Sequence, residues 1–260
     1  MPDSTSVQES FLLEINVVDN YAPDLVEEAM ATCANLRSRV PLELLFKDGR
    51  ASLINKATPN QGGVCVALED GVMKHRRLFG GGRQSEAVAK AVLGKMDAPL
   101  VFDATAGLAR DAFICALFGA RVHLFERNPC VRILLKDGLR RAQTQAELTE
   151  LATDRLVLEE EHSIFTYAGK LKPDTVYLDP MYPARTKSAL VKKEMATFHF
   201  LVGPDLDITH LWQKAMELAQ KRVVMKNPKW APLIEAKGRS GAVETKNHRF
   251  DIYVPMSLSK

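Results

Sequence analysis

From residue 99 onward, apolar and polar positions along the chain follow two alternating patterns. Short apolar runs, "PLVFD", "RVHLFER", "RLVLEE", "TVYLD", "RVVMK" and "RFDIYVPM", read as strands. Between them, "ARDAFICALFG", "PCVRILLKDGLRRAQ" and "ITHLWQKAMELAQ" repeat their apolar residues at helical spacing, with Gly119 closing the first helix and Pro129 opening the second. Strands that alternate with helices predict a mostly parallel sheet covered on both faces, over residues 99–260. Ligands of such sheets sit beyond the carboxyl ends of the strands, near the point where strand order switches. The positions to examine are therefore Asp103, Glu126, residues 160–163 and Asp179.

The first third follows a different pattern. "FLLEINVV", "LELLF", "ASLIN" and "VCVALEDGVM" read as short strands around one helix over Pro23 to Leu36, which makes residues 1–73 a small α+β lobe. "KHRRLFGGGRQSE" reads as a basic, glycine-rich connector that is neither helix nor strand. A helix over "SEAVAKAVLGKM" follows, with Ser85 as its N-cap, and the two together fill residues 74–98.

Composition narrows the function classes. With 46% hydrophobic and 26% charged residues, the chain is ordinary globular protein rather than disordered or fibrous. The opening "MPDSTSVQES" lacks a basic n-region, and no apolar run approaches the roughly 20 residues of a membrane helix, so the expectation is a cytoplasmic protein with no membrane partner. Cys33, Cys65, Cys115 and Cys130 show neither C-x-x-C pairing nor a His-Cys cluster, which argues against structural zinc, any other metal site or a disulfide framework. A net charge of +3 is too small to announce a nucleic-acid partner, so such a partner must be argued from where the cations cluster. Patterns for a serine hydrolase, a zinc protease or a P-loop are missing.

"VFDATAGLARD" places Asp103 at a strand end and Gly107 in the following turn, with small Ala104, Thr105 and Ala106 between them. Small residues let a ligand approach the backbone, and the next helix N-terminus offers free N–H groups. The stretch is not G-x-G-x-x-G and lacks the glycine against which a pyrophosphate would press. Glu126 ends the second strand, where an acid that hydrogen-bonds a ribose diol belongs in a Rossmann-like unit. A ribose-bearing cofactor without a diphosphate satisfies both facts, and S-adenosylmethionine is the common one. Taken singly, Asp103 and Glu126 would serve equally well to cap helices at the sheet edge.

Asp179-Pro180-Met181-Tyr182 follows the apolar strand "TVYL" and resembles the [DNS]-P-P-[YF] corner of methyltransferases that modify an amino nitrogen on a planar group, with Met181 in the place of the second proline. An exocyclic amine is a poor nucleophile because its lone pair is delocalised into the ring. An acid and a proline-fixed backbone can accept its hydrogens and aim its nitrogen, while an aromatic ring stacks on the base. An isolated D-P-x-Y would also fit a plain strand-to-loop turn. Cations flank the corner: Arg185, Lys187, Lys192 and Lys193 follow it, and Arg76, Arg77 and Arg83 lie around the glycine-rich connector. Two such patches would suit phosphate contacts, although charge runs are usually solvated surface.

The words "HRRLFGGGR", "EAVAKAV", "DATAGLARDAF", "ERNP", "VYLDPMYP", "KSALVKKEM", "LVGPDLD" and "HRFDIY" occur in order from about residue 74 to 254. Together they resemble the ribosomal RNA small subunit methyltransferase J family, guanine-N2 methyltransferases that use S-adenosylmethionine. The resemblance implies a class I S-adenosylmethionine-dependent methyltransferase sheet, with 16S rRNA or the small ribosomal subunit as partner and a target guanosine near the 3′ end of that RNA. It also implies cofactor contacts at Arg110 and Asp111, at Glu126 and Arg127, at His162 and Ser163, and at Asp179. The residues alone reach only an amino-group methyltransferase acting on nucleic acid. An N6-adenine methyltransferase and a non-catalytic RNA-binding protein of the same fold stand as alternatives.

Overall fold

The computed structural model describes residues 10–19, 21–182, 193–234 and 238–255 of the chain, in two compact units. The smaller is built from Met1–Cys65 and Met181–Pro204, the larger from Val66–Pro180 and Asp205–Lys260.

In the smaller unit, β1 (Phe11–Leu12) pairs antiparallel with β3 (Arg37–Ser38), and β2 (Glu14–Val17) runs parallel to β4 (Leu42–Lys47), which turns back antiparallel into β5 (Arg50–Asn55). The strict alternation of buried residues in β4 and β5 puts Leu42, Leu44, Phe46, Ala51 and Leu53 on one inner face. Helix α1 spans Pro23–Cys33, with proline in its first turn, where a missing N–H costs nothing. Residues 193–202, which form α6 in chain order (Lys193–Val202), pack against β3 and β5, so the lobe is completed by a segment far downstream.

The larger unit opens with α2 (Gly71–Phe79) and α3 (Ala87–Leu93). It continues with β6 (Leu100–Asp103), α4 (Arg110–Leu117), β7 (Arg121–Leu124), α5 (Pro129–Gln143), β8 (Leu156–Leu158) and β9 (Thr175–Leu178). After the lobe segment come α7 (Ile208–Leu218), β10 (Arg222–Pro228), β11 (Arg239–Glu244) and β12 (His248–Tyr253). The strands form a seven-stranded sheet in the order β11-β12-β10-β9-β6-β7-β8. From β8 to β10 every pair is parallel, and β12 and β11 join antiparallel. β9 is buried along its whole length, as a central strand covered on both faces must be. On one face Phe102, Phe125, Val176, Leu178, Val223, Met225 and Tyr253 pack with Leu211 and Ala215 of α7.

Three expectations for the stretch before residue 99 are corrected. "VCVALEDGVM" is not a strand: Val64 makes only an isolated bridge to Leu53, and from Gly71 the chain is helical. Half of the stretch read as an irregular connector is therefore α2. Its inward positions Met73, Arg76 and Arg77 stand at helical spacing, but two of the three are arginines that bury their stems, so an apolar count misses the stripe. Ser85 does not cap α3; its hydroxyl donates to the Gly82 carbonyl at 2.7 Å, and the helix starts at Ala87. β11, "RSGAVE", carries no apolar run, as befits an edge strand, and the strand pattern passes it by.

Gly138 lies buried in the middle of α5, where glycine costs helix stability by roughly 1 kcal/mol relative to alanine. A methyl group there would sit 2.8 Å from the Val66 carbonyl oxygen and closer still to the Val66 side chain. Overpacking of about 1–3 kcal/mol outweighs the propensity gain. Gly138→Ala is expected to lower the melting temperature by a few degrees in a calorimetric scan, whereas a helix set by propensity alone would melt higher.

Candidate active site

The carboxyl ends of β6 and β9 are neighbours, yet the chain leaves β6 toward β7 and reaches β9 only after β8 has been laid down. This is the switch in strand order, and the residues that follow the two strands form the site. After β6 the backbone turns through Thr105, Ala106 and Gly107. Gly107 (φ 52°) and Ala109 (φ 55°) both take the left-handed region that brings the chain sharply into α4. Glu126, just past β7, holds this turn. One of its oxygens accepts the Gly107 N–H at 3.0 Å and the other the Asn128 N–H at 2.8 Å. Asn128 in turn caps α5 by accepting from the Cys130 and Val131 N–H groups.

Across the crevice, sheet register brings the candidate residues together. Asp103 and Val224 both flank Tyr177 in parallel register, and one pleat further on Asp179 and Lys226 share that face. Lys226 Nζ donates to Asp179 Oδ2 at 2.7 Å and to Asp111 Oδ2 at 2.9 Å. The same Asp111 oxygen accepts the Tyr177 hydroxyl at 2.7 Å. The main chain at Asp179 is pinned as well, since its N–H donates to Thr105 Oγ1 at 2.6 Å and so ties the end of β9 to the glycine turn. Among the described residues, Asp179 Oδ1 takes no hydrogen bond.

The charges are crowded. Burial pushes the Asp103 carboxyl well above the usual range, and Asp111, Asp179 and Glu126 push it further; only the Thr105 N–H, at 3.1 Å, opposes them. Burial likewise raises Glu126 against its two backbone N–H partners. Enclosure by protein raises Asp179 too, with Lys226 working against it and Asp111 with it. For Asp111 burial loses to Lys226 and the Tyr177 hydroxyl, which hold its carboxyl below the usual value. Burial also works against the Lys226 ammonium, but its two carboxylates hold it above an ordinary lysine.

Asp103, Gly107, Asp111, Glu126 and Asp179 are thus brought together with buried Pro180 in the larger unit. Arg110 opens α4 as an exposed residue. Arg127 spends its guanidinium on Asp205 and on Asp207, the latter at 2.6 Å, and so anchors the start of α7. His162 and Ser163 lie in the turn after β8, where the Ser163 carbonyl accepts from the Thr166 N–H and hydroxyl. Tyr182 belongs to the smaller unit's segment Met181–Pro204. Of the cations, Arg185, Lys187 and Lys192 lie outside the described residues, as does the side chain of Lys193. Arg76 pairs with Glu86 at 2.5 Å, Arg77 with Glu147 at 3.3 Å, and Arg83 donates to the Leu93 and Met96 carbonyls. The exposed side of α2 instead carries Lys74, His75 and Phe79, whose two rings lie 5.4 Å apart. Tyr177 and Lys226 went unnoticed in the sequence, and Thr105 was legible only as a small residue of the turn. A lone lysine closing the apolar run "RVVMK" was the available signal, because it puts a cation at the carboxyl end of a strand beside β9.

A family model described as "Putative SAM-dependent methyltransferase" matches residues 29–255. Proteins named ribosomal RNA small subunit methyltransferase J are similar over most of the chain. One from Haemophilus influenzae is 46% identical, covering 94% of this chain and 96% of its own. One from Erwinia tasmaniensis is 48% identical over 84% of this chain and 87% of its own. Among solved structures, a SAM-dependent methyltransferase from Neisseria gonorrhoeae superposes with a TM-score of 0.70 at 32% identity, covering 93% of this chain and 96% of that one. The expected class I methyltransferase fold is borne out.

Asp103 offers a test of the electrostatics that needs no ligand. The folded chain binds its proton more tightly than the unfolded chain, where an aspartate titrates near about 3.9, so this group removes stability as pH rises above that value. Asp103→Asn keeps the acceptor for the Thr105 N–H and cannot ionise. The ligand-free variant is expected to melt above wild type at pH 8, with the difference vanishing toward pH 4; equal melting curves at both pH values would show that Asp103 is not strained.

Proposed function

The chain belongs to the ribosomal RNA small subunit methyltransferase J family, and from that premise we propose that it methylates the exocyclic N2 amine of a guanosine near the 3′ end of 16S rRNA, using S-adenosylmethionine. The observation that carries the reading is the corner at Asp179: a carboxylate at the switch point, pinned through its N–H and through one oxygen, with the other oxygen taking no hydrogen bond among the described residues.

The residues present suit the cofactor. Four carboxyls lie near one another with one ammonium pairing two of them, and their charges raise the proton affinity of buried Asp103 and of Asp179, a setting that favours a positively charged ligand. When bound, S-adenosylmethionine supplies a methyl group on a cationic sulfur. Asp103, Gly107, Asp111 and Glu126 are the groups assigned to hold it, with Arg110, Arg127, His162 and Ser163 as the outer contacts implied by the family. The turn that Glu126 secures has small side chains at Ala104, Thr105 and Ala106, which leaves the backbone approachable.

Asp179 is the catalytic acceptor. Its Oδ1 would accept a hydrogen bond from the amine, orient the nitrogen lone pair, and stabilise the positive charge that grows on nitrogen. Pro180 stiffens the corner, and Tyr182 is assigned to stack on the base, as in the corner it resembles. For the RNA backbone, Arg185, Lys187, Lys192 and Lys193 remain assigned as phosphate contacts on sequence grounds. Arg76, Arg77 and Arg83, each engaged by protein, can add only what charge they leave over. Lys74, His75 and Phe79 on the open side of α2 combine a cation with stacking rings, the pairing that suits single-stranded RNA.

Glu126→Ala is expected to weaken cofactor binding by about 1.5–3 kcal/mol through loss of the glycine turn's anchor and a charged acceptor. Isothermal calorimetry reads this directly, and unchanged affinity would remove Glu126 from the site. Asp179→Asn should retain the cofactor but lose roughly 10²–10³-fold in kcat, because a neutral amide cannot stabilise the positive charge that grows on nitrogen and its NH₂ must face either the Lys226 ammonium or the amine's own hydrogens. The assay is single-turnover transfer of labelled methyl to small subunits from a strain lacking the enzyme, with the product nucleoside identified by mass spectrometry. Near-wild-type turnover would dismiss Asp179. A product other than N2-methylguanosine would dismiss the assigned acceptor, N6-methyladenosine would favour the adenine alternative, and no transfer by wild type at all would leave an RNA-binding protein.

A further inference from the structure

We propose that Lys226 is a positioning residue for this methyl transfer: its ammonium clamps Oδ2 of Asp179 against Asp111, so that Oδ1 alone is presented to the amine. The inference rests on the function proposed above and assigns a task to a side chain outside the D-P-M-Y corner.

Lys226 stands on β10, whose register with β9 sets Met225 beside Leu178 and therefore Lys226 beside Asp179. Its reach is bounded on both sides. Nζ lies 2.7 Å from Asp179 and 2.9 Å from Asp111, and the Tyr177 hydroxyl stops Asp111 from swinging away. Asp179 is thus fixed at two points, through its N–H by Thr105 and through its carboxylate by Lys226. A carboxylate held in this way keeps one oxygen in a set direction, which is the geometric requirement for aiming a weak nucleophile.

Without Lys226, Asp111 and Asp179 would face each other as like charges, with Asp103 buried nearby. Among the described residues, the groups around Asp179 are Asp103 from β6, Tyr177 from β9, Asp111 from α4, Lys226 from β10 and His248 from β12, and Arg76 of α2 acts on Asp111 from further off. Apart from Lys226 and the more distant Arg76, only His248 among these can carry positive charge, and burial holds it below an ordinary histidine. Asp179, already raised, would then take up a proton more readily than Asp111, which Tyr177 still serves. A protonated Asp179 loses acceptor capacity and becomes a donor facing the amine's own hydrogens.

A lysine that only stabilises the fold predicts something different, since breaking a partly buried ion pair costs stability whatever the chemistry nearby. Three readouts separate the two roles in Lys226→Met, Lys226→Gln and Lys226→Arg. The first is kcat and KM for small subunits from pH 6 to 9, measured also in a His248→Gln background so that the histidine's own titration is removed. The second is the carbon-13 titration of the Asp179 carboxyl in the ligand-free protein, assigned by its loss in Asp179→Asn. The third is the melting temperature.

The expected result is a fall in kcat on the order of 10²-fold for Met and Gln, with KM within a few-fold. The acid limb of kcat should move to higher pH, because removing a cation makes Asp179 harder to ionise, and raising the pH should recover part of the loss. The Asp179 titration should move up in step, and Arg should restore most of the rate. If Met melts too low to assay, Gln, which can still donate a hydrogen bond without charge, carries the same test. An acid limb and carboxyl titration matching wild type in the folded variants, or a kcat within threefold, would overturn the proposal. The carboxyl titration does not depend on RNA, so failure of wild type to methylate small subunits would refute the functional reading independently of the clamp.

Discussion

A parallel sheet that reverses its order of growth leaves a gap which no connection crosses, and here the reversal falls between β6 and β9. The chain leaving each strand must turn away from the other, so the first residues beyond them line a crevice rather than a core. Both described parts of the candidate site are hung from those two ends. The glycine turn follows one, the Asp179 corner follows the other, and the Thr105 hydroxyl joins them at 2.6 Å. β7 contributes Glu126 to the first end and β10 contributes Lys226 to the second. Each does so because it is the next strand outward and its register delivers one side chain at the same height.

The same placement sets the electrostatic character of the crevice. Acids stand at the ends of β6, β7 and β9 and in the first turn of α4, where the helix dipole favours negative charge. The Lys226 ammonium offsets two of them, while burial and the neighbouring acids leave Asp103 hard to ionise. Such a site resists holding its full negative charge when empty and gains it when a cation arrives, so ligand binding and carboxyl ionisation are thermodynamically linked.

Much of this was legible in the sequence because the responsible signals are local. Short apolar runs marked the six main-sheet strands other than β11, and acids closing three of these runs marked the crevice. What escaped is also physically intelligible. α2 hid because its buried stripe includes Arg76 and Arg77, whose stems pack while their heads pair with Glu86 and Glu147. Those pairs are long-range facts that charge counting cannot supply, which is why arginines read as free for phosphate are already engaged. Lys226 escaped for the opposite reason: a cation at the end of a strand acquires meaning only once β10 is known to lie beside β9, and strand order is not written in any one strand. Glu126, finally, was legible as an acid in the right place, but not as the group that secures Gly107.

The division of the smaller unit bears on the order in which the protein is made. Its strands β1 to β5 leave the ribosome early, whereas α6, which covers β3 and β5 and buries Phe198 and Leu201, follows only after β9 has been synthesised. At roughly 5–20 residues per second, the delay is on the order of ten seconds. Throughout that interval the nascent lobe carries an uncovered apolar face, while the β6 to β9 half of the main sheet is already emerging. The lobe's strands are translated ahead of the main sheet, and its last helix is made only just before α7 and the closing strands arrive.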